Sequence, residues 1–426
     1  MASFKLFGRA LQWWLAQLEN PATHKAMLAH GRPFQGLRFR QRVECAHGVG
    51  WRSDHAADAA PFFHLKKYHD MTPTPRLASS ESAAQRHFAV VGAGIAGIAC
   101  ARTLAQAGHR VSVFEKSAGA GGRMATRETG FGGFDHGAQY FTVRDERFEQ
   151  ALATASGLVR PWSANTIQIL DGGGKVVAGS LPPREAHWVA KPGMNALVRQ
   201  WAQPLADAGR LMLDTRVVFI EADKLEPRRW QLQTEGPGAG VHSGFDAVVL
   251  AIPPSQAHAL LRNSRQSGAL QAELAGVAVA PCWTLMVAFP QALQPTLASL
   301  GPQWNAARST HHRIAWLARE SSKPGRGPIE RWTVQASCEW SQRHLEDDAE
   351  RVKAKLLKAF AEVTGIRAEP PHAEVHRWRY AQTIQPLGKT HAWDAESAIG
   401  ACGDWCLGHR VEDGFVSGLE MALAIL

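Results

Sequence analysis

Apolar positions first fall into order at His87–Val91 (HFAVV), a short unbroken run of the kind a buried strand needs. The run ends in the turn Gly92-Ala93-Gly94-Ile95-Ala96-Gly97. From Ile95 to Ala107 the apolar residues recur with helical spacing, and Gly108 suits the C-terminal cap. Val111, Val113 and Phe114 then form a second apolar strand that ends on Glu115. Farther on, Asp145 is placed to cap a helix over Arg147–Ala153. Thr166–Leu170 and Lys175–Val177 flank a glycine turn and predict a hairpin. A helix is expected from Asn195 to about Gln203, stopped by Pro204. Strands are expected at Leu211–Leu213, Thr215–Glu221, Trp230–Thr234 and Ala247–Ile252, where Pro253-Pro254 closes the last strand and opens a helix. The next group holds strands at Thr284–Phe289, Arg313–Leu317 and Arg331–Ser337 and a helix over Glu346–Thr364. The chain closes with a strand into Gly403-Asp404 and a helix expected to begin near Asp413-Gly414.

The first unit, strand–turn–helix–strand, carries chemistry. Gly92 permits the tight turn, Gly94 lets the backbone approach a pyrophosphate, and Gly97 lets the helix pack closely on the strand. Ala96 lies in the same turn. Free N–H groups at the helix start favour phosphate charge, and Glu115, 18 residues after Gly97, can accept both ribose hydroxyls. That is a dinucleotide site. Lys116 follows, and a small-residue loop leads to Gly121-Gly122-Arg123-Met124. Two glycines bring the backbone near the ligand again, and Arg123 can grip a diphosphate with two prongs. A surface ion pair is the other use of Arg123.

Length and composition suit a soluble globular chain of more than one domain: 426 residues, 45% hydrophobic and 20% charged. The longest apolar runs are too short to span a bilayer. Six scattered cysteines without a CxxC pair suggest reduced thiols and a cytoplasmic setting. The net charge is +9, of which +5 lies in residues 1–85. No nucleic-acid motif accompanies it, so attraction of a phosphorylated substrate is the use expected of the rest. Residues 1–85 read as an extension. Phe4–Leu18 suits an amphipathic helix, but the mixed Gly, Pro, His and Arg beyond it have no period. Met71 is the expected start of translation, with a targeting or membrane-surface helix as the alternative.

Taken together, VVGAGIAG, EKS-x3-GGRM, DHGAQYF, WVAKPGM, HRWRYA and GDWCLGHRVEDG resemble the bacterial renalase-like flavoproteins of the flavin amine-oxidase superfamily, over about residues 86–426. The departures are the N-terminal extension and Ala190, where glycine is expected. The resemblance implies an α/β fold of the p-hydroxybenzoate-hydroxylase type, with a Rossmann-like FAD domain from residues 86–160, 197–256 and 371–426. A smaller substrate domain with an antiparallel sheet would take 161–196 and 257–370. It implies noncovalent FAD held by Gly92, Gly94, Ala96, Gly97, Glu115, Lys116, Gly122, Arg123 and Met124. It also places Gln139 and Tyr140 against the flavin ring and has Val217 pair its backbone with the adenine. Asp404 would bind the ribityl or phosphate region. Val411 joins the cofactor set, just before a helix start aimed at the flavin N1–C2=O edge, where its dipole stabilises charge on reduction. Cys406 does not share the local sequence of amine oxidases with a covalent flavin link.

The activity implied is oxidation of the 2- or 6-dihydro isomers of NAD(P)H, by hydride transfer to flavin N5. Oxygen then reoxidises the flavin to give hydrogen peroxide. Loss of hydride makes an aromatic cation and needs no base, which agrees with a chain that shows no nucleophile–base pair and no metal-ligand cluster. No catalytic residue is therefore assigned. His136, Tyr140, Trp188 and Arg377 are the pocket-lining candidates, and Lys191 stands open between a flavin-facing role and a solvated loop charge. The rival readings are a flavin amine oxidase acting on a small amine, a non-catalytic FAD-binding protein, and a desaturase of apolar polyenes.

Overall fold

The computed structural model describes residues 84–162, 167–179, 185–293 and 304–426. The expected helix at 4–18 and the start at Met71 lie outside them. Residues 84–426 form one compact unit.

The unit is built outward from β1 (His87–Val91). Phe88 and Val90 point into one core cluster and Ala89 and Val91 into another, so both faces of the strand are buried. That is why its sequence is unbroken rather than alternating. It is a central strand of a six-stranded sheet with the order β17 (Ala392–Asp394), β18 (Ile399–Ala401), β11 (Ala247–Leu250), β1, β2 (Arg110–Phe114), β7 (Leu211–Met212). All the pairings are parallel except that of β17 with β18. One face is covered by α1 (Ile95–Gln106), α2 (Glu146–Ala153), α3 (Asn195–Asp207) and α8 (Val411–Ile425). The other is covered by the antiparallel ribbon β8 (Arg216–Ala222), β9 (Trp230–Glu235), β10 (Gly240–Phe245), with α4 (Pro254–Ser264) and α5 (Gly268–Ala275).

A second sheet of seven strands runs β16 (His372–Gln385), β12 (Ala278–Phe289), β15 (Glu330–Ala336), β14 (Ile314–Arg319), β13 (Ala306–Ser309), β4 (Gln168–Leu170), β5 (Val176–Gly179). Its back face packs on α7 (Ala349–Thr364) through Leu356 and Phe360, with α6 (Cys338–Arg343) nearby. A two-stranded piece, β3 (Val159–Pro161) with β6 (Trp188–Ala190), packs with the dinucleotide core.

Several elements differ from expectation. α3 runs through Pro204 to Asp207, because burial of Trp201 and Leu205 outweighs one missing N–H. α8 starts at Val411 rather than near Asp413, because the Asp413 carboxylate receives the Arg410 backbone N–H at 2.9 Å and closes the first turn. β16 is the largest difference. Its sequence, HAEVHRWRYAQTIQ, is half-exposed along most of its length and shows little alternation. Ten of its residues nevertheless pair with β12, so 372–385 belong with the seven-stranded sheet and not with the rest of 371–426. The segment expected at 161–196 likewise divides, β4 and β5 joining the seven-stranded sheet and β6 pairing with β3.

Candidate active site

The turn after β1 does what its glycines allow. Gly92 has φ +106°, and a Cβ there would meet the Ala251 carbonyl oxygen at 2.4 Å. A Cβ on Gly97 would lie 2.0 Å from the Gly92 carbonyl oxygen, so only glycine lets α1 come this close to β1. Gly94 is different. Its missing Cβ faces open space with only the Gly122 Cα at 3.9 Å, and it sits at the N-cap of α1 with no side-chain capping bond. The result is a cradle of unpaired backbone donors beside a bare glycine wall. At the end of β2, the buried Glu115 receives N–H bonds from Ala93 and Ser117 at 2.8 and 2.9 Å. Each carboxylate oxygen keeps a further lone pair for a hydroxyl.

Around this cradle opens a cavity of about 2250 Å³. It is lined by Gly92, Gly94, Ala96, Glu115, Lys116, Gly122, Arg123 and Met124 at one end, and by Val217, Asp404 and Val411. Gly97 packs behind the wall. At Val217 the β8–β9 register shifts, a bulge that leaves Val218 unopposed on the cavity wall. Arg123 donates to Asp404 and, at 3.2 Å, to the Ala381 carbonyl. The two ends of the chain expected to grip the cofactor thus meet in one ion pair. The Trp405 N–H also donates to Asp404, at 2.9 Å. These residues, a cradle at one helix start and the start of α8 at the other, fit a dinucleotide with a ring system attached.

The cavity continues under the seven-stranded sheet. Registers place Ile169, Arg308, Trp316, Gln335, Thr284 and His376 in one row across six strands, and all but Thr284 line the cavity. Opposite runs the segment His136–Tyr140. His136 is buried, stacks on Trp378 at 5.3 Å and meets His376 at 4.8 Å, and its Nδ1 has no partner. Burial, then the neighbouring charge of Arg127, pushes His376 down to about 4. Burial, His376 and Arg127 push His136 to about 4 as well, so both imidazoles are neutral near pH 7. Tyr140 contacts His187 and Trp316 at 4.2 and 5.7 Å between ring centres.

The sequence candidates fare unequally. His136, Tyr140 and Arg377 line the cavity, although Arg377 donates to Glu346 at 3.1 Å and to the Leu345 carbonyl. Trp188 does not line it. In the extended segment 187–190 adjacent side chains face opposite ways, so His187 takes the cavity side and Trp188 packs on the dinucleotide core. Gln139 reaches the cavity, but its amide is engaged with the Asp135 and Gly137 carbonyls and with Lys323. Lys191 is exposed and lies over Gly325, away from the lining.

One feature escaped the sequence. Lys323, fully buried, donates to Glu320 at 2.9 Å, Asp135 at 3.1 Å and Gln139 at 3.2 Å, and Arg326 also pairs with Asp135. Asp135 further accepts from the Thr126 hydroxyl and the Met194 N–H. Burial pushes the Asp135 carboxyl up, but Lys323 and Arg326 outweigh it and hold it below the usual carboxylate range. Burial prevails at Glu320, which is raised. The four charges balance and lock the 135–139 wall of the cavity to residues 320–326. The only sequence signal was four charged side chains in stretches with no surface periodicity.

A glycine cradle on a parallel sheet, an acid at the end of its second strand and a largely antiparallel sheet roofing the groove define a two-sheet flavoprotein oxidoreductase. The comparisons agree. A model of NAD(P)-binding Rossmann-like domains matches residues 90–155. The chain belongs to the flavin containing amine oxidoreductases, whose family model matches residues 177–426. FAD is its cofactor.

An L-amino-acid oxidase of Naja atra is 41% identical over 64 residues, 15% of this chain and 13% of that protein. The tRNA 5-methylaminomethyl-2-thiouridine biosynthesis bifunctional protein MnmC of Acinetobacter baylyi is 37% identical over 79 residues, 17% of this chain and 12% of that protein. The match therefore spans about an eighth of those relatives. Among solved structures, putrescine oxidase bound to putrescine superposes with TM-score 0.60 at 14% identity, over 80% of this chain and 99% of that one. Cyclohexylamine oxidase from Brevibacterium oxydans gives TM-score 0.60 at 14% identity, over 80% and 98%. At that identity the likeness is one of fold.

Proposed function

We propose that the protein oxidises isomeric dihydronicotinamides, the 2- or 6-dihydro forms of NAD(P), to NAD(P)+, with oxygen as acceptor and hydrogen peroxide as product. The observation that carries the reading is the charge of the cavity. Ten lysine and arginine side chains line it against three carboxylates. Arg123 and Arg144 pair with two of these, Asp404 and Glu185, and Arg127, Arg377 and Arg379 pair with Glu374 and Glu346 outside the lining. That leaves Lys116, Arg199, Arg216, Arg308 and Arg410 without a carboxylate partner among the described residues. Such a wall attracts phosphates and repels an ammonium.

Bound FAD would supply the hydride acceptor and a route for the electrons to oxygen. The chain's own part is positional. Gly94, the α1 N–H groups, Glu115, Arg123 and Asp404 hold the dinucleotide, and Tyr140, Trp316, Trp378 and the neutral His136 and His376 give the nicotinamide flat, uncharged walls. A positioned donor gains most of its rate from orientation. Neither imidazole need move a proton, because the ring nitrogen carries the ribose and no hydrogen, and the ring loses only a hydride. On this reading the site residues are those named above, without Trp188.

The family favours a second reading, oxidation of a small amine or amino acid, as the named relatives and neighbours suggest. Anaerobic mixing of the holoenzyme with 2- and 6-dihydro-NAD(P)H, ordinary NADH, amines and amino acids separates the two. Bleaching of the flavin by an isomer and not by amines supports the proposal. Bleaching by amines or amino acids alone overturns it.

A further inference from the structure

The roof of the cavity carries three arginines, and they are not equivalent. Arg377 and Arg379 both pair with Glu346. Arg308, on β13, is exposed on the cavity wall and has no hydrogen-bond or ion-pair partner among the described residues. Its cross-strand neighbour Trp316 lines the same wall, with its indole N–H buried. An exposed guanidinium on a cavity wall, left unused by the fold, asks for an anionic oxygen. Arg308 also sits at one end of the row that leads through Trp316 and Gln335 to His376. Strands lie about 4.8 Å apart, so Arg308 stands roughly 10 Å from Gln335 and roughly 19 Å from His376 along the roof. The shorter of these spacings suits a ligand with a flat ring near Gln335 and a phosphate beyond a sugar at Arg308, laid across the strands.

We propose that Arg308 is the residue that reads the phosphate of the substrate, so that the enzyme prefers dihydronicotinamide nucleotides to the bare riboside. The inference rests on the dihydronicotinamide reading above and adds the substrate class to it. The glycine cradle lies on the other sheet, and the Arg308 side chain forms no hydrogen bond or ion pair with the described residues. An arginine–phosphate contact is bidentate and charge-assisted, and lysine restores the charge without the fork.

The test uses FAD-loaded protein, wild type with Arg308→Gln and Arg308→Lys, mixed anaerobically in a stopped-flow instrument. The donors are the 2- and 6-dihydro forms of NAD, of nicotinamide mononucleotide and of nicotinamide riboside. The expected result in Arg308→Gln is an apparent Kd for both nucleotides weaker by about ten- to a hundredfold. The reduction rate at saturation and the riboside Kd should stay unchanged, and Arg308→Lys should recover part of the loss. Added salt should weaken nucleotide binding in wild type more than in Arg308→Gln. Equal binding of the nucleotides by wild type and Arg308→Gln, or equal weakening of nucleotide and riboside, overturns the role of Arg308 while leaving the reaction intact. If no isomer bleaches the wild-type flavin, the reaction itself falls and Arg308 with it.

Discussion

Replacing Lys323 by methionine is the sharpest probe of what holds the cavity wall. Methionine keeps the length and apolar stem and removes one charge. Three acceptors then lose their common donor: Asp135, Glu320 and Gln139. Asp135 is the lesser problem, since Arg326, the Met194 N–H at 2.9 Å and the Thr126 hydroxyl at 2.7 Å remain. Glu320 is left with the Thr333 hydroxyl at 2.8 Å and Arg326 at 4.0 Å, and its Oε2 already lacks a partner. Breaking a buried pair from one side costs about 3–5 kcal/mol. In a unit of this size each kcal/mol moves the melting temperature by about 2 °C, so the expected loss is roughly 6–10 °C in a thermal melt of the FAD-loaded protein. Because Glu320 is already raised by burial, the variant should regain stability as pH falls and Glu320 takes a proton. Lys323→Met/Glu320→Gln should recover much of the loss at neutral pH. A Lys323→Met protein that melts with wild type, or a double variant no better than the single, refutes the assignment of Lys323 as the counter-charge.

Further outcomes follow from other contacts. Glu115→Ala removes the buried acid at the end of β2, and the purified protein should lose FAD on gel filtration while keeping its far-UV spectrum; retained flavin would show that Glu115 does not hold it. Gly418→Ala places a Cβ 2.0 Å from the Ala96 carbonyl oxygen, so α8 must move off α1; both FAD retention and melting temperature should fall, and a wild-type melt would contradict the close approach. His136 and His376 have folded values depressed to about 4 from 6.5, so the unfolded chain binds more protons between those values. Their stabilisation is therefore present above pH 6.5 and lost as pH falls toward 4, a slope that His136→Phe/His376→Phe should flatten in denaturant titrations.

What the sequence made legible has a physical pattern. The β1–α1–β2 unit was readable because local sterics largely decide it: Gly92 takes φ +106°, and a Cβ on Gly97 would strike the Gly92 carbonyl five residues away. Val217, Asp404 and Val411, named through the resemblance and not through local sterics, line the same cavity as the glycine turn. β16 was not, because its stability comes from ladder bonds to β12, far away in the chain, rather than from an apolar face of its own. Trp188 was misplaced by one residue, and in extended chain one residue is the difference between the cavity and the core. The Asp135–Glu320–Lys323–Arg326 cluster depends on two segments 185 or more residues apart, and no spacing within either reveals it.

The Arg123–Asp404 pair has a consequence for synthesis. Its partners are 281 positions apart, and the wall beside it is finished only when Gly418 of α8 has settled on Ala96 and Ser417 has accepted the Gly403 N–H. A ribosome releasing this chain exposes the glycine cradle early and the residues that close it almost last. Flavin colour should therefore appear late in translation, as a report that the final helix has docked. A chain cut short before α8 should remain colourless however well its first strands have folded.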